Sequence, residues 1–175
     1  MMSSFKMKLN EIEKALNAGC YQSALALALT IPDICGKVAY DSSAVGERYI
    51  KWFNKYVGCL DNIKEFDGNA CYLLRCSYLH SGKIRVKNKS IKRFKLHVDV
   101  IMGEPNVHSS VICVGNKVEL DIDIWDLCDS ICRAALKFYN ECNNDSLFVD
   151  DLIEDMSWSD ETCFQLFNQS EVDVL

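Results

Sequence analysis

The residues best suited to catalysis lie in the stretch 74–82, where Arg75 is followed five positions later by His80. Histidine can give or take a proton near neutral pH, and arginine is always charged and can hold an anion with two parallel hydrogen bonds. A basic run follows with no acid between positions 83 and 95, and such a run can track phosphates. Its members are Lys83, Arg85, Lys87, Lys89, Lys92, Arg93 and Lys95. The alternative for this run is a solvated hairpin whose lysines prevent aggregation at a sheet edge.

A helix over residues 68–80 is predicted to carry this pair. Asp67 is a suitable N-cap because a carboxylate can accept the unpaired backbone N–H groups of a first helical turn. Ser81 and Gly82 then predict the helix end, so His80 lies in the last turn. A spacing of five residues sets the two side chains about 140° apart around the axis and about 7.5 Å along it. They therefore cannot share one narrow face.

The same helix has two apolar sides. One is an ordinary core-facing stripe at helical spacing: Ala70, Leu73, Leu74, Ser77 and Tyr78. The opposite side is formed by Tyr72, Cys76 and Leu79, with Arg75 and His80 on its flanks. Because a helix that is apolar all round is normally buried all round, we expect a second subunit to cover this side. A homodimer would place the Arg and His of two chains around one groove.

Composition excludes several other classes of protein. A chain of 175 residues with two prolines and eight glycines is the size of one domain with long regular elements. No stretch approaches 18 uninterrupted apolar residues, so we expect a cytoplasmic protein with no membrane partner. Ten cysteines occur without a Cys-x-x-Cys pair, which favours small reduced hydrophobes over a disulfide or zinc framework. The histidines also lack partners at metal-ligand spacing, so no metal or cofactor is expected.

The net charge of −6 hides an asymmetry. Fifteen acids stand between positions 119 and 175 against only Arg133 and Lys137. An acidic protein is a poor nonspecific binder of nucleic acid, but a local basic run can still do so. We expect residues 146–175 to form an acidic, partly helical tail.

Hydrophobic periodicity predicts the elements that must position the pair. Helices are expected over 5–18 and 20–30, with Pro32 and Gly36 then breaking the pattern. A third helix capped by Ser42 or Ser43 runs to about position 57, with an aromatic stripe that is best explained as core. On it, Arg48 is either a surface charge or reaches the same groove as Arg75.

After Gly82 the period changes to two. This predicts an inserted antiparallel hairpin or three-stranded sheet at about 84–122. Asp121 or Asp123 should then cap the longest helix, which continues to about position 143. The fold class is mainly α with this small β insertion.

Arg75-x-x-x-x-His80 at a helix end, followed by Ser-Gly, resembles the R-x4–6-H motif of HEPN domains, which are small all-α proteins. The run YLLRCSYLHSG at 72–82 is similar to a run in uncharacterised bacterial proteins of this type. The resemblance extends over the helical framework at 5–143 and implies one antiparallel helical bundle within residues 1–145, and a bacterial source.

The resemblance also implies a function. Active members are metal-independent endoribonucleases whose dimer joins two motifs in one cleft. Here His80 would handle protons and Arg75 would hold the phosphate, while Lys83, Arg85, Lys87, Lys89, Lys92 and Arg93 would bind flanking phosphates. A protein regulator is a further possible partner.

One position departs from the family pattern. Active enzymes often carry Asn, Asp or His directly after the arginine, and this chain has Cys76. The departure favours an alternative, a noncatalytic helical module that binds RNA, a nucleotide or a protein. A third alternative is a purely structural dimerisation protein. In these cases Arg75 would form a salt bridge or cap at the interface, and His80 would bond a carbonyl at the helix end.

Overall fold

Helices form most of the part of the chain that the structure, a computed structural model, describes: residues 4–60, 63–82, 90–98 and 109–148. The described helices are α1 (Ser4–Asn17), α2 (Tyr21–Ala28), α3 (Ile31–Ala39), α4 (Val45–Tyr56), α5 (Gly68–Ser81) and α6 (Ile124–Cys142). The strands are β1 (Ile91–His97), β2 (Ser110–Val114) and β3 (Lys117–Asp123), and a 3-10 helix, Asp145–Phe148, follows α6. The prediction of a mainly helical chain with a small sheet is confirmed. None of the described helices is long and apolar enough to cross a bilayer.

The core lies between the helices and one face of the sheet. From α4 it takes the aromatic stripe, since Tyr49, Trp52 and Phe53 are fully buried. Each buried aromatic side chain contributes about 1.5–3 kcal/mol relative to exposure. The ring of Phe5 from α1 stacks on that of Tyr139 from α6 at a centroid distance of 5.5 Å. The prediction that the aromatic stripe is core is therefore correct.

Helix α3 corrects the prediction that Pro32 and Gly36 break the helical pattern. Pro32 lies in the first turn of α3, where its missing N–H is not needed and its fixed φ suits the helix. Gly36 lies where α4 approaches most closely, since a Cβ added there would stand 2.8 Å from the carbonyl oxygen of Arg48. Proline starts this helix, and glycine lets it pack against α4.

The helix starts follow the predicted capping chemistry in two cases out of three. Asp67 accepts the second and third backbone N–H groups of α5 at 2.9 and 3.0 Å. Asp123 accepts the third N–H of α6 at 3.1 Å. The predicted cap of α4 is wrong: Ala44 occupies the N-cap, with no side-chain hydrogen bond, instead of Ser42 or Ser43. An exposed helix start can be solvated by water without a side-chain cap.

The sheet is mixed, which corrects the predicted antiparallel arrangement. Its strand order is β1-β3-β2, with β2 antiparallel to β3 and β1 parallel to β3. The β2–β3 hairpin closes through Gly115 at φ +62°, a conformation that glycine adopts without strain. A period of two predicts strands but does not predict which strands pair. The beginning of the predicted insertion, at 84–89, lies outside the described residues.

The described chain ends within the core. Phe148 is 5% exposed, and its ring lies 4.7 Å from that of Phe5 and 5.0 Å from that of Tyr139. This residue belongs to the segment predicted as an acidic tail from position 146. The rest of that segment, from 149 onward, lies outside the described residues.

Candidate functional site

Helix α5 positions both residues of the motif. Its buried face, formed by Ala70, Cys71 and Leu74, anchors it to the core. It ends at Gly82, which adopts a left-handed φ of +58° and donates its N–H to the carbonyls of the last turn. Arg75 therefore lies in the middle of a well-capped helix and His80 in its final turn. The backbone that carries the pair is fixed at both ends.

Arg75 is held inside its own chain. Its Nη2 lies 3.5 Å from Oδ2 of Asp33, and its Cζ lies 5.9 Å from the centroid of the Tyr72 ring. The side chain is 18% exposed. Its Nε is buried and has no hydrogen-bond partner within the part of the chain that the structure describes. The guanidinium is thus oriented by a carboxylate and a ring, and one of its donors is unused.

Arg48 shares the same carboxylate. Its Nε and Nη2 donate to Oδ1 of Asp33 at 3.1 and 3.0 Å, while Arg75 approaches the other oxygen. We call Asp33, Arg48 and Arg75 the Asp33 cluster. Two guanidinium groups and one carboxylate leave it with a net charge of +1. Of the two alternatives for Arg48, the structure places it beside Arg75.

Asp33 is the residue of the candidate site that the sequence does not single out. It lies in the first turn of α3. The sequence does not predict this helix, because Pro32 and Gly36 are expected to break the helical pattern. The sequence signal that could have pointed to Asp33 is its position next to Pro32. Proline favours the first turn of a helix, and an acid in that turn interacts favourably with the helix dipole. That signal predicts a first-turn acid, and it does not predict two arginine partners.

His80 does not join this cluster. Its side chain is exposed, whereas that of Arg75 is mostly buried. On a regular helix the two positions lie about 140° apart around the axis, so one chain does not bring the two side chains together. A site that uses both residues needs another chain to supply the missing partner.

The side of α5 predicted as a dimer interface is partly covered within the chain. The Tyr72 ring lies 5.3 Å from that of Tyr49 on α4, and Leu79 packs against the core. Burial and a hydrogen bond with Cys76 raise the pKa of Tyr72. All three predicted interface residues, Tyr72, Cys76 and Leu79, keep intermediate exposure.

The predicted RNA-binding run is partly neutralised by the sheet. The side chains of Lys92 and Arg93 both contact Glu119, with Nζ to Oε1 at 2.9 Å and Nη2 to Oε2 at 2.6 Å. These hydrogen bonds lower the pKa of Glu119. The other predicted RNA-binding residues, Lys83, Arg85, Lys87 and Lys89, lie outside the described residues.

The parallel register of β1 and β3 extends this charge pairing. Arg93, Lys95 and His97 stand opposite Glu119, Asp121 and Asp123 in the ladder. Lys95 Nζ and His97 Nδ1 each lie 2.7 Å from a carboxylate oxygen of Asp121. Burial raises the pKa of Asp121, but the hydrogen bonds from Lys95 and His97 outweigh burial and lower it overall. Cross-strand charge pairs therefore help to fix the register.

The cysteines offer no reactive centre in the core. Cys35, Cys71 and Cys128 are buried, and Cys20, Cys59 and Cys113 are exposed. Burial raises the pKa of Cys71 to about 12, so its thiol stays protonated and unreactive. No group of three metal-ligating side chains occurs within the described ranges.

Comparison with known proteins gave no match to a family model, to a curated protein or to a solved structure.

Proposed function

We propose that this protein is a HEPN-type, metal-independent endoribonuclease of the bacterial cytoplasm, with Arg75 and His80 of two subunits in one composite site. The observation that carries the proposal is the Asp33 cluster. It holds Arg75 in place and adds Arg48 next to it, and His80 is exposed at the end of the same helix.

Arg75 would hold and neutralise the phosphate. Asp33 and Tyr72 orient its guanidinium before substrate arrives, so little reorganisation is needed at the moment of reaction. The cluster keeps a net charge of +1. Arg48 adds a second planar guanidinium group next to that of Arg75. The paired N–H donors of a guanidinium match the spacing of phosphate oxygens.

His80 would carry the protons. A neutral imidazole takes the proton of the ribose 2′-OH, and the 2′-oxygen then attacks phosphorus. The bond to the 5′-oxygen breaks, and an imidazolium gives that oxygen its proton. The products are a 2′,3′-cyclic phosphate and a free 5′-OH, and no metal is required. One His80 cannot occupy both sides of the phosphate, so the second histidine comes from the other subunit.

RNA affinity would be salt-dependent. Basic residues between 83 and 93 would hold flanking phosphates, but Lys92 and Arg93 must first exchange their contact with Glu119 for one with RNA. We therefore assign most of this role to Lys83, Arg85, Lys87 and Lys89.

The test is cleavage of labelled RNAs by the purified protein in EDTA. We expect the wild type to produce fragments with cyclic phosphate ends. His80→Ala should lower the rate by about 10²-fold or more, a typical loss for a general acid or base. Asn140→Ala, an exposed helical substitution on α6, is the matched control and should cleave like the wild type. Equal cleavage by His80→Ala, or no cleavage of varied RNAs by the wild type, would refute the proposal.

A second candidate is a noncatalytic module that binds RNA. It is favoured by Cys76, which bonds Tyr72 and leaves the motif without the usual polar neighbour. This candidate predicts salt-dependent RNA binding without turnover. Charge reversal at Lys87, Lys89 and Lys92 should then weaken binding, and unchanged binding would count against it.

A purely structural dimer is distinguished by Leu79→Asp. If the third alternative holds, this change produces a monomer and no ligand is lost. In the composite nuclease the same change would abolish cleavage together with the dimer.

A further inference from the structure

The outer side of α6 carries a charge pattern that has no role in the proposed reaction. Six of its residues lie within about 120° around the helix axis: Trp125, Asp126, Asp129, Arg133, Leu136 and Lys137. We call them the α6 face. The side chain of Arg133 is 74% exposed, Leu136 is 44% exposed, and Lys137 is also exposed. The α6 face shares no residue with the Asp33 cluster or with the predicted interface on α5.

The order of charges along the α6 face is self-complementary. The acids Asp126 and Asp129 come first, and the bases Arg133 and Lys137 follow. The pairs Asp126/Lys137 and Asp129/Arg133 are both centred within one residue of position 131. A two-fold axis at this point reverses the direction of a second α6, so each acid of one copy faces a base of the other. A parallel arrangement would set like charges against each other, which is unfavourable.

This complementarity does not require unpaired charges. Nη2 of Arg133 lies 2.6 Å from Oδ2 of Asp129 in the same chain. A guanidinium has five N–H donors and a carboxylate can accept about four hydrogen bonds, so both groups can keep this contact and add one to a second copy. Two acids and two bases give the α6 face no net charge. An acidic segment or a nucleic acid therefore gains no net attraction there, whereas the same face in the opposite direction does.

The apolar residues of the α6 face follow the same symmetry. Trp125 and Leu136 are also centred within one residue of position 131, so an antiparallel copy brings them together. Both line a groove of about 440 Å³ between α1 and α6, together with Leu9 and Cys132. Contact between Leu136 and the indole of a second copy would remove apolar surface from water, which favours association.

We propose that the α6 face is an interface between two copies of this chain. The two α6 helices lie antiparallel across a two-fold axis near position 131. Asp129 of each copy faces Arg133 of the other, and Asp126 faces Lys137. This inference does not rest on the proposed nuclease, because it uses none of the residues of the candidate site.

Crosslinking of the full-length chain with a water-soluble carbodiimide tests the contact, because this reagent joins a carboxylate directly to a lysine amine. We expect mass spectrometry of the covalent dimer to find Lys137 joined to Asp126. Within one chain these residues are eleven positions apart, which is about 16.5 Å along the helix and too far for an amide bond. The crosslink therefore reports the α6 contact, whatever the surface of α5 binds.

Charge variants locate the contact. Arg133→Glu sets an acid against Asp129 and should lower the yield of this crosslink about tenfold. Asp129→Arg/Arg133→Asp exchanges the two charges, keeps each acid opposite a base, and should restore the yield. Lys51→Glu is the matched control, since it breaks an exposed ion pair of the same spacing on α4 and should leave the yield unchanged. Restoration by the exchanged pair would show that Arg133→Glu acts on the contact and not on folding.

Three results would overturn the proposal. The first is the absence of the Lys137–Asp126 crosslink at protein concentrations up to about 100 µM. The second is a crosslink from Lys137 to an acid within 149–175, because the C-terminal segment would then cover the α6 face. The third is a Lys137–Asp126 crosslink whose yield Arg133→Glu leaves unchanged.

Discussion

Asp33→Asn is the substitution that most directly perturbs the candidate site. Asp33 is the only carboxylate that contacts both Arg48 and Arg75 among the described residues. This substitution replaces one carboxylate oxygen by an NH2 group, which removes the negative charge and leaves the shape of the side chain almost unchanged. Two arginine side chains that are 16% and 18% exposed then lose their counter-ion.

The loss of stability expected for Asp33→Asn depends on how deeply the ion pairs of Asp33 are buried. Removing one partner of a fully buried pair costs about 3–5 kcal/mol, and an exposed pair is worth about 0.2–1 kcal/mol. At 23% exposure, Asp33 lies between these limits and closer to the first. We expect a loss of about 2 kcal/mol in the free energy of unfolding. For a chain of this length that corresponds to a fall in Tm of about 4–8 °C.

Chemical denaturation and double-mutant cycles provide the assay. Combined with Arg48→Met, Asp33→Asn should show a coupling energy of about 1–2 kcal/mol, because Arg48 donates two hydrogen bonds. With Arg75→Met the coupling should be smaller, about 0.5 kcal/mol, since that contact is 3.5 Å long. Glu47→Gln, which breaks the exposed pair with Lys51, is the control and should cost less than about 0.5 kcal/mol.

Two results would refute this reasoning. One is an Asp33→Asn protein as stable as the wild type, which would mean that water satisfies both arginines. The other is a larger coupling to Arg75 than to Arg48, which would contradict the observed geometry.

The remaining predictions concern the elements around the site. Asp67→Ala should destabilise the protein by about 1 kcal/mol, measured by urea unfolding, because two N–H groups of α5 lose their acceptor. Gly36→Ala should cost about 1–3 kcal/mol by the same measurement, since the new Cβ meets backbone of α4. The pKa of Asp121 is lowered from 3.8, so its ionised form stabilises the fold above about pH 4 and that stabilisation is lost as pH falls through the folded-state pKa. Lys95→Met should therefore cost about 1 kcal/mol at pH 6 and progressively less as the pH falls below about 4, in thermal unfolding across pH. An unchanged difference across that range would contradict the assignment.

The sequence predicts the parts of this fold that depend on local signals. The aromatic stripe of α4 follows from a period of 3.6. The start of α5 follows from Asp67, and its end follows from Gly82. Each of these depends on a few neighbouring residues, so no knowledge of the tertiary structure is needed.

Other features depend on contacts between distant residues. Gly36 is a helix breaker by propensity, but close packing against Arg48 makes it suitable in α3. The parallel pairing of β1 with β3 brings together opposite charges 26 positions apart, such as Lys95 with Asp121. A period of two carries no information about such a partner.

In the candidate site, too, the features set by local sequence were predictable and those set by distant contacts were not. The motif residues were found on α5 as the sequence predicts, with His80 in the last turn. The partner of Arg75 was not predictable, because Asp33 lies 42 positions earlier in the sequence. It also lies on a helix that contains Pro32 and Gly36, two residues that disfavour helix formation.

The central claim is that two subunits share one cleavage site, and mixed dimers test it most directly. Wild-type and His80→Ala chains with different affinity tags are coexpressed, and the mixed dimer is isolated by two successive purifications. RNA cleavage by this dimer is then measured in EDTA against both homodimers. If the two histidines act together as base and acid, the mixed dimer should keep less than about 5% of wild-type activity, in line with the loss expected for one general acid or base. A mixed dimer with half the wild-type activity would show that each chain works alone and would contradict the composite site.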